Sequence, residues 1–313
     1  MAGRLVTVIG GSGFIGRYIV ERLARSGDHV RVAVRRPNEA LFLKPLGDLG
    51  QIQLVAANLK NDQSLRRAIK GADAVINLVG VLFNSGGQTF QALQAGGAGA
   101  VARIAAEENV RHMVHMSAIG ATHASDSEYA RTKAAGEDAV LQAFPTATIL
   151  RPSVVIGAED GFFNRFAKLT KLFPLLPIPG AETRFQPVFV DDVAEAAVIA
   201  SRGGDLFEGK TFELGGPQVL SLRALLEVMM DDIGVRRPII NVPWGIAMLQ
   251  ATLMQLLPTP PLTRDQVTLL RQDNIVADGA VGFDVFGISP ASVKSVLPRY
   301  SVQHRRKGQF SAR

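Results

Sequence analysis

The segment RLVTVIGGSGFIGRYIV, residues 4–20, constrains the fold more than any other stretch of the chain. An apolar, β-branched run from Leu5 to Ile9 breaks into glycines at Gly10, Gly13 and Gly16, and an amphipathic stretch begins at once. Glycines at that spacing let the backbone turn tightly, let a pyrophosphate approach exposed N–H groups, and let the next helix pack close to the sheet. Set between a strand and a helix, the pattern predicts a dinucleotide-binding turn that includes Phe14 and Ile15.

The same rhythm continues. Strand-like runs at Val30 to Val34, Ile52 to Ala56, Ala74 to Val79, His112 to Met116 and Thr148 to Leu150 alternate with stretches such as Phe14 to Ser26 and Thr89 to Asn109, whose apolar residues recur at helical spacing. Fully apolar strands separated by helices predict an α/β fold, a Rossmann-type doubly wound parallel sheet covered on both faces. After Pro152 the pattern turns proline-rich and irregular, as in KLFPLLPIPG and LLPTPPLTRD. The expectation is a Rossmann domain over 1–156 to which 185–215 returns, a smaller α+β lobe from 157–184 and 216–300, and a basic tail, 301–313.

The end of the second predicted strand carries Arg35 and Arg36. An acid at this place binds a ribose 2′-hydroxyl, whereas basic residues accommodate a 2′-phosphate, so the pair favours NADP(H) over NAD(H). Ligands lie outside the carboxyl ends of such strands, which adds Asn58 and Leu59 after the third strand and Asn77 and Gly80 after the fourth. Ser117 follows the fifth, and Tyr129 and Lys133 stand four residues apart, on one face of a helix. An ammonium near a phenol stabilises the phenolate, and a serine hydroxyl can orient such an acid or base toward a carbonyl or alcohol. Asp191 and Asp192, ahead of a helical pattern, read as N-terminal helix residues rather than a catalytic pair.

Composition removes several alternatives. With no cysteine, disulfides and thiolate metal sites are excluded, and the histidines lack ligand spacing, so no metal is expected. A first strand starting by residue 4 leaves no room for a signal or transit peptide, which predicts a bacterial-type cytoplasmic protein or a mature form. The longest apolar stretch, Val242 to Pro258, is shorter than the roughly 20 residues a spanning helix needs; a buried helix of the smaller lobe is expected, with a helix resting on a membrane surface as the alternative. The net charge of +6 and the basic HRRKGQFSAR end suit a solvated tail, anionic lipid or acidic partner subunits, and no aromatic-rich basic motif points to nucleic acid.

The glycine turn, Ser117, Tyr129 and Lys133, in that order, resemble the extended or atypical branch of the short-chain dehydrogenase/reductase superfamily. VHMSAIGA, YARTKAAGE, ILRPSVVIGAEDGFFNRFA, RFQPVFVDDVA, FELGGP and LTRDQVTLLRQDNIV together resemble the nucleotide-binding accessory subunits of respiratory complex I and their bacterial relatives, from Arg4 to about Tyr300. The resemblance implies a tightly held NADPH and a place among subunits of the peripheral arm, close to the membrane and quinone region. It places Gly10, Gly13, Gly16, Arg35 and Arg36 at the phosphates, Tyr129 and Lys133 at the ribose and nicotinamide, and Ser117 along the nicotinamide pocket. It implies the cytoplasmic face of a bacterial inner membrane, or the matrix side in an organelle. Gln94 stands where active superfamily members often carry a proton-relay asparagine, and the short gap from Ser117 to Tyr129 disfavours a sugar-nucleotide substrate.

Three functions are compatible with these residues. One is a docked subunit holding NADPH for structure, assembly or sensing. A second is an NADP-dependent oxidoreductase or epimerase using Ser117, Tyr129 and Lys133. The third is a role in ubiquinone biosynthesis, with an apolar pocket between DGFFNRFAKLTKLFPLLP and the helix from Pro243 accepting an isoprenoid or lipid.

Overall fold

The computed structural model describes residues 3–81, 84, 89–257 and 260–305. The chain divides into two units: residues 1–152, 190–214 and 279–288 form the larger, and 153–189, 215–278 and 289–313 the smaller.

The larger unit contains β1 (Leu5–Ile9), α1 (Phe14–Arg25), β2 (His29–Val34), β3 (Ile52–Ala56), α2 (Asp62–Ile69), β4 (Ala74–Asn77), α3 (Gly97–Glu107), β5 (His112–Met116), α4 (Glu128–Ala143), β6 (Thr148–Pro152), α6 (Val190–Ala200) and β11 (Thr211–Leu214). The seven strands form one sheet, all parallel, in the order β11-β6-β5-β4-β1-β2-β3. Ile9, Val75, Met113 and Ile149 point to one face, where they meet Leu65, Val101, Ile104 and Val140 of α2, α3 and α4. Their neighbours Val8, Val32 and Ile76 are equally buried, as are Ile19 and Leu23 of α1 and Val193 and Ala197 of α6. Strands apolar on both faces fit a sheet covered twice. Arg22 of α1 ties α6 in place through Asp191 at 2.7 Å and Glu195 at 3.4 Å, so Asp191 does structural work in the first helical turn.

Strand order reverses between β1 and β4, since the chain leaves β1 toward β2 on one side and later builds β4, β5 and β6 on the other. The carboxyl ends of these two strands therefore flank a crevice, the place where open α/β sheets bind ligands.

The smaller unit contains β7 (Val155–Ile156), α5 (Phe163–Leu172), β8 (Leu176–Pro179), β9 (Arg184–Phe185), β10 (Val188–Phe189), β12 (Leu220–Ser221), α7 (Leu222–Ile233), β13 (Ile239–Val242), α8 (Trp244–Met254) and α9 (Arg264–Leu269). Three two-stranded pairings, β7 with β10, β9 with β12 and β8 with β13, surround a core that includes Phe163, Ala167, Ile178, Leu225, Leu226 and Met229. Phe163 and Ala167, in the segment offered as one wall of an apolar pocket, are core residues, whereas Leu172 and Phe173 at the end of the same segment are exposed.

Three expectations are corrected. Residues 185–189 stay with the smaller unit, because Phe185 pairs with Leu220 and Val188 with Val155; the return to the main sheet starts at Val190. Residues 279–288 also return to the larger unit, where Glu213 N–H donates to the Val281 carbonyl at 3.0 Å and Phe286 stacks on Phe207 with centroids 5.1 Å apart. The apolar stretch from Val242 is a helix, but α8 buries only Ala247 and Ala251 and leaves Ile246, Leu249 and Leu253 exposed. Its residues are apolar all round, so periodicity alone could not distinguish the covered face. Pro258 and the basic residues after Arg305 lie outside the described residues, and among the described residues no helix is long and apolar enough to cross a membrane.

Candidate nucleotide-binding site

Gly10 follows β1 with φ +80°, a left-handed conformation that glycine adopts without strain. A Cβ there would lie 3.1 Å from Val79 Cγ2, just beyond β4, so the turn closes against the far side of the crevice. Gly13 N–H donates to the Gly10 carbonyl at 3.0 Å, and Gly13 caps α1. At Gly16 an added Cβ would stand 2.6 Å from Gly11 Cα, closer than any side chain tolerates. Backbone therefore packs on backbone, and the first turn of α1, with Phe14 and Ile15, presents its N–H groups beside the crevice. A helix start of this form accepts a phosphate or pyrophosphate. Its cap, Gly13, brings no side chain to these N–H groups, which fits a dinucleotide pyrophosphate there.

Across the crevice, Lys133 of α4 is fully buried and its ammonium donates to the Met116 carbonyl at 3.0 Å. It passes Gly80, where a Cβ would lie only 3.3 Å from the lysine Nζ. Burial pulls its pKa down to about 8, against the opposing pull of the Glu137 carboxylate. Tyr129, one turn earlier, is half-buried, with its ring 6.0 Å from the Lys133 ammonium and edge-on to Phe90. Lys133, Gly80 and the Gly10 turn thus meet at the switch point, with Tyr129 on the Lys133 side.

Other predicted residues have local tasks in the structure. Asn77 is buried, its amide oxygen accepting from Val79 N–H at 3.3 Å and its nitrogen 3.1 Å from His115 Nδ1. His115 is fully buried, and burial followed by the nearby Lys133 charge lowers its pKa to about 3, which keeps the imidazole neutral. Asn58 accepts Lys60 N–H at 3.0 Å, and Leu59 lies against α3, 2.7 Å from where a Gly97 Cβ would be. Arg35 and Arg36 are exposed beyond β2, and Arg36 pairs with Glu39 at 2.8 Å. Gln94, in a wide helical turn over Gln91–Gly96, is committed to the Val81 carbonyl at 2.6 Å and to the Thr132 hydroxyl at 2.9 Å.

Ser117 is placed at the end of β5 and is buried, with its hydroxyl donating to Glu137 Oε1. Arg151 at the end of β6 grips the same carboxylate with two N–H groups, at 2.9 and 2.5 Å, and approaches Glu213 of β11 at 3.6 Å. Glu137 was missed in the sequence, although it stands four residues after Lys133 and so shares its helix face. Arg17 was missed as well; it follows Gly16 directly, and its guanidinium lies over the Phe42 ring at 5.0 Å, in the short helical segment after β2. The signal for it was a cation immediately after the third glycine.

The fold and the crevice define a nicotinamide-nucleotide-binding Rossmann protein, and a family profile described as NAD(P)H-binding matches residues 10–167. The chain belongs to that family and, within it, to the family of complex I subunits named NADH dehydrogenase (ubiquinone) 1 alpha subcomplex subunit 9. It is 35% identical to the mitochondrial subunit of that name from Arabidopsis thaliana, over 98% of this chain and 80% of that protein. It is 30% identical to the NADH-ubiquinone oxidoreductase 40 kDa subunit of Neurospora crassa, over 99% of this chain and 82% of that one. Among solved structures, an Escherichia coli NADPH-dependent quinone oxidoreductase complexed with NADPH shares the fold, with a TM-score of 0.75, 18% identity, and coverage of 94% of this chain and 99% of that chain.

Proposed function

We propose that the protein is an NADP(H)-binding accessory subunit of respiratory complex I, which holds the nucleotide for structure, assembly or sensing. The observation that carries this reading is the similarity to complex I subunits along almost the whole chain, together with an intact glycine cradle facing a buried lysine.

In this reading Gly10, Gly13, Phe14, Ile15 and Gly16 hold the pyrophosphate on the N–H groups of α1. Arg35 and Arg36, exposed at the carboxyl end of β2, take the 2′-phosphate and set the preference for NADP(H). Asn58 and Leu59 border the adenine side, while Asn77, Gly80, Tyr129 and Lys133 border the ribose and nicotinamide. The bound nicotinamide would supply hydride chemistry; the residues of this chain bind it, orient it and keep water from its inner edge. The partners are other subunits of the peripheral arm, at the cytoplasmic face of a bacterial inner membrane or the matrix side of an organellar one.

The test is purification from the native host in mild detergent, followed by assay of one preparation for co-migrating complex I subunits and for released nucleotide. Stoichiometric NADPH, still reduced after incubation with quinones and carbonyls, together with co-migration, supports the reading. A free protein that oxidises NADPH with a carbonyl or quinone refutes it.

A further inference from the structure

Three charged or hydroxyl-bearing side chains beside the crevice form a chain of contacts. Ser117 follows β5, Glu137 lies on α4 and Arg151 lies near the end of β6, so three parts of the fold converge on one carboxylate. Glu137 is buried, with its side chain 7% exposed, and its two oxygens are occupied by the Arg151 fork and the Ser117 hydroxyl. A serine has a single proton to donate, and here it is spent on a carboxylate. Ala118 and Ile119, the next residues, have no hydroxyl to take its place.

Glu137 also follows Lys133 by four residues, one turn along α4, so its charge faces the ammonium through the helix surface. The other titratable groups around that ammonium are Tyr129 on α4 and the neutral His115 on β5, and Arg151 on β6 neutralises the far side of the carboxylate.

We propose that Glu137 is a positioning residue of the nucleotide site: clamped by Arg151, it turns the Ser117 proton away from the crevice and sets a negative charge beside Lys133, leaving a site that holds a nicotinamide nucleotide but has no serine proton for a carbonyl substrate. This rests on the nucleotide-binding reading above and adds to it a role for the carboxylate that the Arg151 fork holds. An ammonium stabilised in a dry wall binds ribose hydroxyls well. A carbonyl placed beside Tyr129 would meet a Ser117 hydroxyl whose proton is already directed to Glu137, so the serine does not orient it.

The experiment titrates NADPH into the full-length protein at a series of pH values on either side of 8, and measures NADPH oxidation with menadione in the same samples. The variants are Glu137→Gln, Ser117→Ala and the paired Glu137→Leu/Arg151→Met. The paired variant removes both charges and leaves neither buried alone, so it keeps the test open if Glu137→Gln does not fold. NADPH affinity of the unaltered protein is expected to decline as the pH passes about 8. Loss of the carboxylate moves that midpoint down by about one pH unit, a loss of about fivefold in affinity at pH 8 that approaches about tenfold well above it. Ser117→Ala, which keeps the carboxylate, moves it less than Glu137→Gln does. An unmoved midpoint in both carboxylate variants overturns the proposal, as does menadione-dependent NADPH oxidation that Ser117→Ala abolishes; in either case nucleotide binding itself stands. Failure of the unaltered protein to bind NADPH at any pH removes the nucleotide reading and this proposal together.

Discussion

The Lys133 ammonium donates to the Met116 carbonyl at 3.0 Å, which ties the middle of α4 to the end of β5 at the crevice. The bond joins two residues 17 apart in sequence and places a cation, fully buried, where the sheet order reverses.

Its ionisation couples to stability. The folded pKa of about 8 lies below the ordinary lysine value, so between the two the unfolded chain binds more protons and stability rises with pH. Lys133→Met is expected to raise the thermal midpoint of nucleotide-free protein at neutral pH, with the advantage shrinking as pH climbs past 8. Thermal scans of the two proteins over that range check it; a constant gap refutes it. The same variant loses NADPH affinity most below about pH 8, where Lys133 is charged.

Gly16→Ala tests the backbone contact beneath the turn. A Cβ 2.6 Å from Gly11 Cα cannot be accommodated by rotating a side chain, so α1 must shift away from the turn. The expected cost is about 1–3 kcal/mol of stability, as for other overpacked positions, with loss of nucleotide binding. Denaturant unfolding and NADPH titration report the two effects separately.

Arg35→Ala/Arg36→Ala should weaken NADPH binding at least about tenfold more than NADH binding, because only the former carries the 2′-phosphate. Both side chains are exposed, so the unfolding midpoint should hardly change. Equal losses for the two nucleotides would remove the NADP(H) preference.

Leu249→Ser/Leu253→Ser should leave stability within about 0.5 kcal/mol, since both side chains are more than half exposed on α8. Leu225→Ser, in the core of the same unit, should cost several times more. A large loss from the α8 pair would mean that the helix is covered, as its composition alone suggested.

The local parts of the site were legible in the sequence. A strand, a glycine turn and a helix start are dictated by neighbours in the chain, so Leu5 to Arg25 could be read with its purpose. Apolar strands at regular intervals required a doubly covered parallel sheet, and the four-residue spacing of Tyr129 and Lys133 fixed their common face.

What the tertiary structure alone decided were partnerships between residues distant in sequence. Ser117 looked available for chemistry until α4 brought Glu137 to it from 20 residues away, and Arg151 came from the next strand. Residues 279–288 crossed back to the larger unit through a carbonyl at Val281 and a phenylalanine stack, neither of which carries a periodic signal. The exposure of α8 was equally hidden, because a segment apolar on every side encodes that it is a helix but not which side is covered. Periodicity reports the surroundings averaged along an element, whereas a hydrogen bond or a buried charge depends on where a second element ends, and only the folded chain sets that.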